Sequence, residues 1–234
     1  MSQFVSKISL LQSTEPLVVG AVSDAATLLN LAAQPAEAAF CDILELRLDS
    51  ISLPMEELVN HAKKLTRPLL ITARDPEEGG KGNLDLIQRT ALLTAMLPHA
   101  TLMDVELRNA PEMLTLIRKA QSQRVLVLAS FHDFNSTPGE DVLRGAVDFG
   151  LQFKLDAVKL ATQLRTPDDL SLLLRVLTAE KRLPLSVMGM GPLGRVSRLL
   201  LAKCGSVLNY GYVGTANAPG QWPAAKLKEL IKEL

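Results

Sequence analysis

The chain has 234 residues, and 25 Lys plus Arg balance 25 Asp plus Glu. That balance leaves no net field to draw it toward nucleic acid or anionic lipid, and no apolar run approaches the roughly 20 residues of a membrane helix. Cys41 and Cys204 are far apart, in neither metal nor redox spacing, so a reduced cytoplasmic setting is expected.

The hydrophobic share of 47% supports a substantial core. The amino-terminal stretch MSQFVSKISLLQSTEP has no apolar run followed by a small-residue cleavage site, so no signal peptide is read there. Strand-like and helix-like stretches then alternate. Strands are expected at 16–23 (PLVVGAVS), 42–49 (DILELRLD), 68–74 (PLLITAR), 102–108, 125–133 (VLVLASFHD), 157–164 (AVKLATQL), 184–190 (PLSVMGM) and 206–213 (SVLNYGYV). The spacing predicts helices over 25–38, 55–65, 85–97, 111–123, 139–152, 167–180, 194–204 and 223–234. Eight strand–helix units of this size argue a closed (β/α)8 TIM barrel, with an open doubly wound sheet as the alternative. No low-complexity linker interrupts the chain, so 1–234 reads as a single domain. The glycine-rich run 75–83 (DPEEGGKGN) after the third strand reads as a lid with glycine hinges.

Barrel strands bury their apolar alternates against helices, so polar alternates point into the lumen. Glu45, Arg47 and Asp49 alternate with leucines, and Asp104, Glu106 and Arg108 repeat the pattern. Thr72 and Arg74 share a face, as do Ser130 and His132. Most fall in the second half of their strands, the mouth where barrel enzymes carry their sites. Asp104 and Glu106, deeper in, read equally as a structural ion-pair layer.

Lys159 stands in the middle of the sixth strand, between Val158 and Leu160 and beside the small Ala157 and Ala161. An amine held in such a sheet has a lowered pKa and attacks carbonyls, so Lys159 is the candidate Schiff-base residue. The only other reading is a lysine turned to water. His132, one strand earlier, is placed to exchange protons beside it. His61 and His99 read as solvated bystanders. The seventh and eighth strands lead into GMGPLGRVSR and GTANAPGQW, where Arg198, Asn217 and Gln221 suit an anionic, hydroxylated small molecule. There is no clustered His/Cys set, no GxGxxG after a strand and no P-loop, so neither metal nor nucleotide is implied.

Taken together, ELRLD at 45–49, ITAR and EEGG within 71–80, ASFHDF at 129–134, VKLA at 158–161, MGMGPLGRVSR at 188–198 and APGQ at 218–221 resemble the type I 3-dehydroquinate dehydratases. That resemblance implies a cofactor-free lyase, commonly a homodimer, acting on 3-dehydroquinate in the shikimate pathway. It implies that Lys159 forms the imine, that His132 moves the protons and that Glu78 orients His132. It assigns Glu45, Arg47 and Arg74 to the substrate hydroxyls, and Arg198 and Gln221 to its carboxylate. Asn217 stands where the family pattern carries serine, and Gly214 replaces a residue that is basic in some relatives. Two alternatives compete: a Schiff-base aldolase or transaldolase, and a barrel retained only for binding.

Overall fold

The computed structural model describes residues 10–216 and 220–234. Eight strands, β1 (Leu17–Val22), β2 (Ile43–Arg47), β3 (Leu69–Thr72), β4 (Leu102–Glu106), β5 (Leu126–Asp133), β6 (Ala157–Gln163), β7 (Leu185–Met190) and β8 (Leu208–Val213), are each followed by a helix. The helices are α1 (Ala25–Ala33), α2 (Met55–Ala62), α3 (Leu86–Met96), α4 (Leu114–Ser122), α5 (Glu140–Gln152), α6 (Pro167–Ala179), α7 (Gly194–Lys203) and α8 (Ala224–Glu233).

All strand pairs are parallel, in the order β7-β6-β5-β4-β3-β2-β1-β8. Between β7 and β8 the ring is completed differently. Val207 N–H donates to the Leu185 carbonyl at 2.9 Å. Two serines add to it: Ser186 Oγ donates to the Leu208 carbonyl at 2.6 Å, and Val187 N–H donates to Ser206 Oγ at 2.9 Å. The architecture is the (β/α)8 barrel, and the open sheet is set aside.

The strand period of two builds the lumen in layers. Val19, Ile43, Leu70, Leu102, Leu128, Ala157 and Leu208 form an apolar floor. Two residues further along the same strands come Ala21, Glu45, Thr72, Asp104, Ser130, Lys159 and Tyr210, all buried. The intervening residues, such as Leu44, Leu46, Val105 and Leu160, pack outward with the helices in a second core. The chemistry-bearing level thus rests on a dry base, nearer the carboxyl ends of the strands.

Several expectations need adjusting. Strands β2, β3 and β4 stop at Arg47, Thr72 and Glu106, so Asp49, Arg74 and Arg108 lie in the segments that follow. Asp49 and Arg74 still turn inward and are buried. Arg108 does not: it falls in the 3-10 turn Leu107–Asn109, is exposed and pairs with Glu77. The helix expected over 25–38 ends at Ala33, and Pro35–Phe40 forms a separate 3-10 turn. Pro35 has no N–H and disfavours helix at Gln34, which accounts for the break. Helix α4 begins at Leu114 rather than at 111. His61 and His99 are half-buried rather than solvated, and neither lines the barrel mouth. Among the described residues no helix is long and apolar enough to cross a membrane.

Candidate active site

Eight of the nine expected site residues line one cavity of about 150 Å³ at the mouth of the barrel: Glu45, Arg47, Arg74, Glu78, His132, Lys159, Arg198 and Gln221. Asn217, the ninth, lies outside the described residues. Ala21, Ala161, Met188 and Met190 supply apolar wall between the polar groups.

Lys159 pairs in register with Ser130 on β5 and Ser186 on β7. Its Nζ lies 3.7 Å from Asp104 Oδ2 and 4.2 Å from the centre of the Tyr210 ring. Burial, and then the positive charge of Arg74, pull its pKa from 10.5 down to about 8, against the opposing pull of Asp104 and Glu45. About a tenth of the amine is then neutral at pH 7, a large nucleophilic fraction for a lysine.

His132 Nδ1 lies 2.8 Å from Glu78 Oε2, and Phe134 stacks near the ring with centroids 6.2 Å apart. Burial, together with Arg74, Lys159 and Arg47, holds the imidazole well below its usual pKa. The contact is therefore a hydrogen bond to a neutral ring rather than an ion pair. Burial also pushes Glu78 up to about 7; Arg74 opposes this, and Glu106 and Asp104 add to it. An ionised Glu78 accepts from Nδ1–H and leaves Nε2 as a base. A protonated Glu78 donates to Nδ1 and leaves Nε2–H as an acid. A proton on Glu78 near pH 7 thus selects the tautomer of its neighbour.

Glu78 reaches His132 because the segment after β3 is anchored on both sides. Asp75 N–H donates to Glu106 Oε1 at 3.0 Å, and the Asp75 side chain accepts from Glu77 N–H at 2.9 Å, starting the turn Pro76–Glu78. Arg89, from α3, bridges Asp75 and Glu106 at 2.7 and 2.8 Å. Beyond the turn Gly79 sits at φ +85°, where a Cβ would meet the Phe134 ring at 2.7 Å, so glycine is required. Arg47 holds Asp49 through two bonds, Nε to Oδ1 at 2.9 Å and Nη2 to Oδ2 at 2.8 Å. Asp49 in turn accepts from Lys81 N–H at 3.1 Å, which pins the far end of the expected lid.

The two buried arginines that line the cavity differ. Arg74 Nη1 and Nη2 bond both oxygens of Asp104 at 3.0 and 2.9 Å, and Nη1 also bonds Glu106 at 2.8 Å. Ser130 Oγ joins the same network, donating to Asp104 Oδ1 at 2.6 Å. Glu45 is held by Thr72, whose Oγ1 donates to Oε1 at 2.8 Å. Arg198 instead donates to the Tyr210 carbonyl at 2.9 Å and touches Met188 Sδ at 3.4 Å. Among the described residues no carboxylate meets it and its Nε has no partner, and burial alone draws its pKa down to about 10. The turn leading into α7, the helix that carries Arg198, interlocks at glycines with the segment before Gln221. A Cβ on Gly220 would meet the Gly191 carbonyl at 3.0 Å and Gly194 Cα at 3.3 Å.

The profile of the family described as Type I 3-dehydroquinase matches residues 18–234. The chain belongs to the type I 3-dehydroquinase family. It is 35% identical over 201 residues to the 3-dehydroquinate dehydratase of Latilactobacillus sakei, covering 81% of this chain and 82% of that one. It is 30% identical over 204 residues to the catabolic 3-dehydroquinate dehydratase of Acinetobacter baylyi, covering 82% and 75%. The crystal structure of the 3-dehydroquinate dehydratase from Geobacillus kaustophilus superposes with a TM-score of 0.85 at 26% identity, covering 95% of this chain and 92% of that one.

Within this 3-dehydroquinase the sequence reading passed over two buried groups. Tyr210 shares the layer of Lys159, and the alternation in SVLNYGYV places it inward; its apolar ring kept it from standing out. Arg89 comes from a helix rather than a strand, so the lumen pattern does not flag it. Its signal is a lone arginine on the face of α3 that buries Leu93 and Met96.

Proposed function

We propose that Lys159 and His132 carry the dehydration of 3-dehydroquinate to 3-dehydroshikimate catalysed by this type I 3-dehydroquinate dehydratase, a hydro-lyase. The observation that carries this reading is the buried Lys159 amine, its pKa lowered to about 8, in one cavity with the His132–Glu78 pair. The amine adds to the substrate ketone, and loss of one water gives an iminium. That cation acidifies the adjacent C–H bond. Neutral His132 takes the proton at Nε2 while Glu78 accepts from Nδ1–H. The electron pair returns from the resulting enamine, the hydroxyl on the next carbon departs, and His132 returns its proton to it as water. A further water hydrolyses the product iminium and frees Lys159. One water is lost overall.

The substrate is a carboxylate bearing hydroxyls, and Arg198 supplies the unpaired cation for the carboxylate, with Gln221 beside it in the wall. Glu45, Arg47 and Arg74 face the remaining hydroxyls. From the family resemblance we also infer a single-domain, cytoplasmic homodimer; a monomeric mass by light scattering overturns the dimer.

The test is incubation with 3-dehydroquinate followed by borohydride and peptide mass spectrometry. The expected result is formation of 3-dehydroshikimate and a reduced adduct on the peptide carrying Lys159. Turnover with that lysine unmodified overturns its role, and absence of turnover overturns the reaction.

A further inference from the structure

Tyr210 lies on β8 in the same lumen layer as Lys159, and its side chain is only 3% exposed. Its ring faces the Lys159 amine at 4.2 Å, a distance at which the π face stabilises the ammonium. Its hydroxyl is buried and has no hydrogen-bond partner among the described residues. A phenol without a partner in a protein interior is uncommon, because burial strips its water without replacement.

The neighbourhood explains why the protein leaves it so. The carboxylates whose charge reaches Tyr210 are Glu45 and Asp104. Glu45 Oε1 is taken by Thr72, and both Asp104 oxygens are taken by Arg74, one of them also by Ser130. Three other buried side-chain nitrogens lack a partner among the described residues, those of His61, Arg89 and Arg198; of these only Arg198 lines the same cavity, and it is tied to Tyr210 through the Tyr210 carbonyl. Two buried donor groups, Arg198 Nε and the Tyr210 hydroxyl, thus lack a partner among the described residues on side chains that line one small space. A protein keeps such donors where a ligand completes them.

We propose that the Tyr210 hydroxyl donates a hydrogen bond to an oxygen of the bound 3-dehydroquinate, making Tyr210 a substrate-binding residue beside Arg198. This rests on the reaction proposed above. The ring performs a separate task, seating the Lys159 amine under the reacting carbonyl. Removing the hydroxyl while keeping the ring therefore separates the two.

The experiment is Tyr210→Phe, assayed with 3-dehydroquinate and by thermal unfolding with and without it. The expected KM rises about 2- to 12-fold, the range of one neutral hydrogen bond. The expected kcat changes less than about twofold, because the ring still holds Lys159. The Tm of the free variant stays level or rises, since an unbonded hydroxyl has left the interior, while the Tm gain on adding 3-dehydroquinate shrinks. An unchanged KM with a higher Tm overturns the proposal, because the hydroxyl then serves no ligand. A lower Tm of the free variant also overturns it, because the hydroxyl then has a partner in the protein. If the unsubstituted chain binds but does not convert 3-dehydroquinate, the reaction fails. The ligand-induced Tm gain then still decides the hydroxyl on its own.

Discussion

Arg74, on the β3 side of the lumen, and Arg198, on the α7 side, are each 2% exposed. Burial opposes the charge of both. Around Arg74, Asp104 and Glu106 more than offset it and hold the pKa well above the ordinary arginine value. Around Arg198 nothing offsets it. The first is one member of a closed network that includes Arg89, Asp75 and Ser130. The second is a buried cation for which the described residues supply no counter-charge. One side of the barrel mouth is therefore built to stay as it is, and the other is built to be completed. The division supports the proposed place of the substrate carboxylate beside Arg198, because a buried cation without a counter-charge gains most from an anion.

The comparison predicts different kinds of loss on the two sides. The largest loss is expected at the proposed nucleophile between them: Lys159→Ala should lower kcat on the order of 10⁴ or more while leaving the chain folded. A rate within tenfold of the unsubstituted chain breaks the assignment. Arg74→Met strikes the closed side. It strands Asp104 and one oxygen of Glu106 in the interior, so unfolding by urea should show a loss of about 3–5 kcal/mol. Arg198→Met should do the reverse. Stability stays level or rises, because an unpaired buried charge gives way to an apolar chain. KM should rise about 10- to 150-fold, the equivalent of ~1.5–3 kcal/mol for a lost charged hydrogen bond. If both variants lose stability alike, the two sides are not different in kind.

Much of the barrel was legible because its period is arithmetic. Glu45, Thr72, Asp104, Ser130 and Lys159 all follow from alternating residues on apolar strands, and the structure buries each. Strand ends were less legible. Arg108 continues the alternation of β4 on paper, yet the chain turns at Leu107 and carries it outward. Alternation says which face a residue takes only while the strand lasts. The pairing of charges was not legible at all. Nothing in the sequence distinguishes Arg74, held by two carboxylates, from Arg198, held by none, because partners come from strands 30 or more residues away. Arg89 escaped for the same reason, since a helix delivers it into a network of strand residues.

The smallest expected effect concerns the proton on Lys159, and it sharpens the contrast between its two neighbours. The loss of water and then Arg74 favour the neutral amine, whereas Asp104 and Glu45 favour the ammonium; the balance sets a pKa of about 8 against 10.5 for a free lysine. Attack needs the neutral form, so kcat/KM should rise roughly tenfold from pH 7 to pH 9 and then level. Because Glu78 titrates near 7 in the same cavity, the observed midpoint belongs to both groups. Stability provides the independent check. Between pH 8 and 10.5 the unfolded lysine holds a proton that the folded one has lost, so stability rises with pH across that window. Below it both states are charged, and the buried ammonium costs the fold ~3 kcal/mol. Lys159→Met removes this term. The variant should be more stable than the unsubstituted chain at pH 7, and the gap should shrink as pH climbs toward 10.5. A gap that stays constant with pH would mean that the amine is not desolvated, and with it would go the reason for placing the nucleophile there.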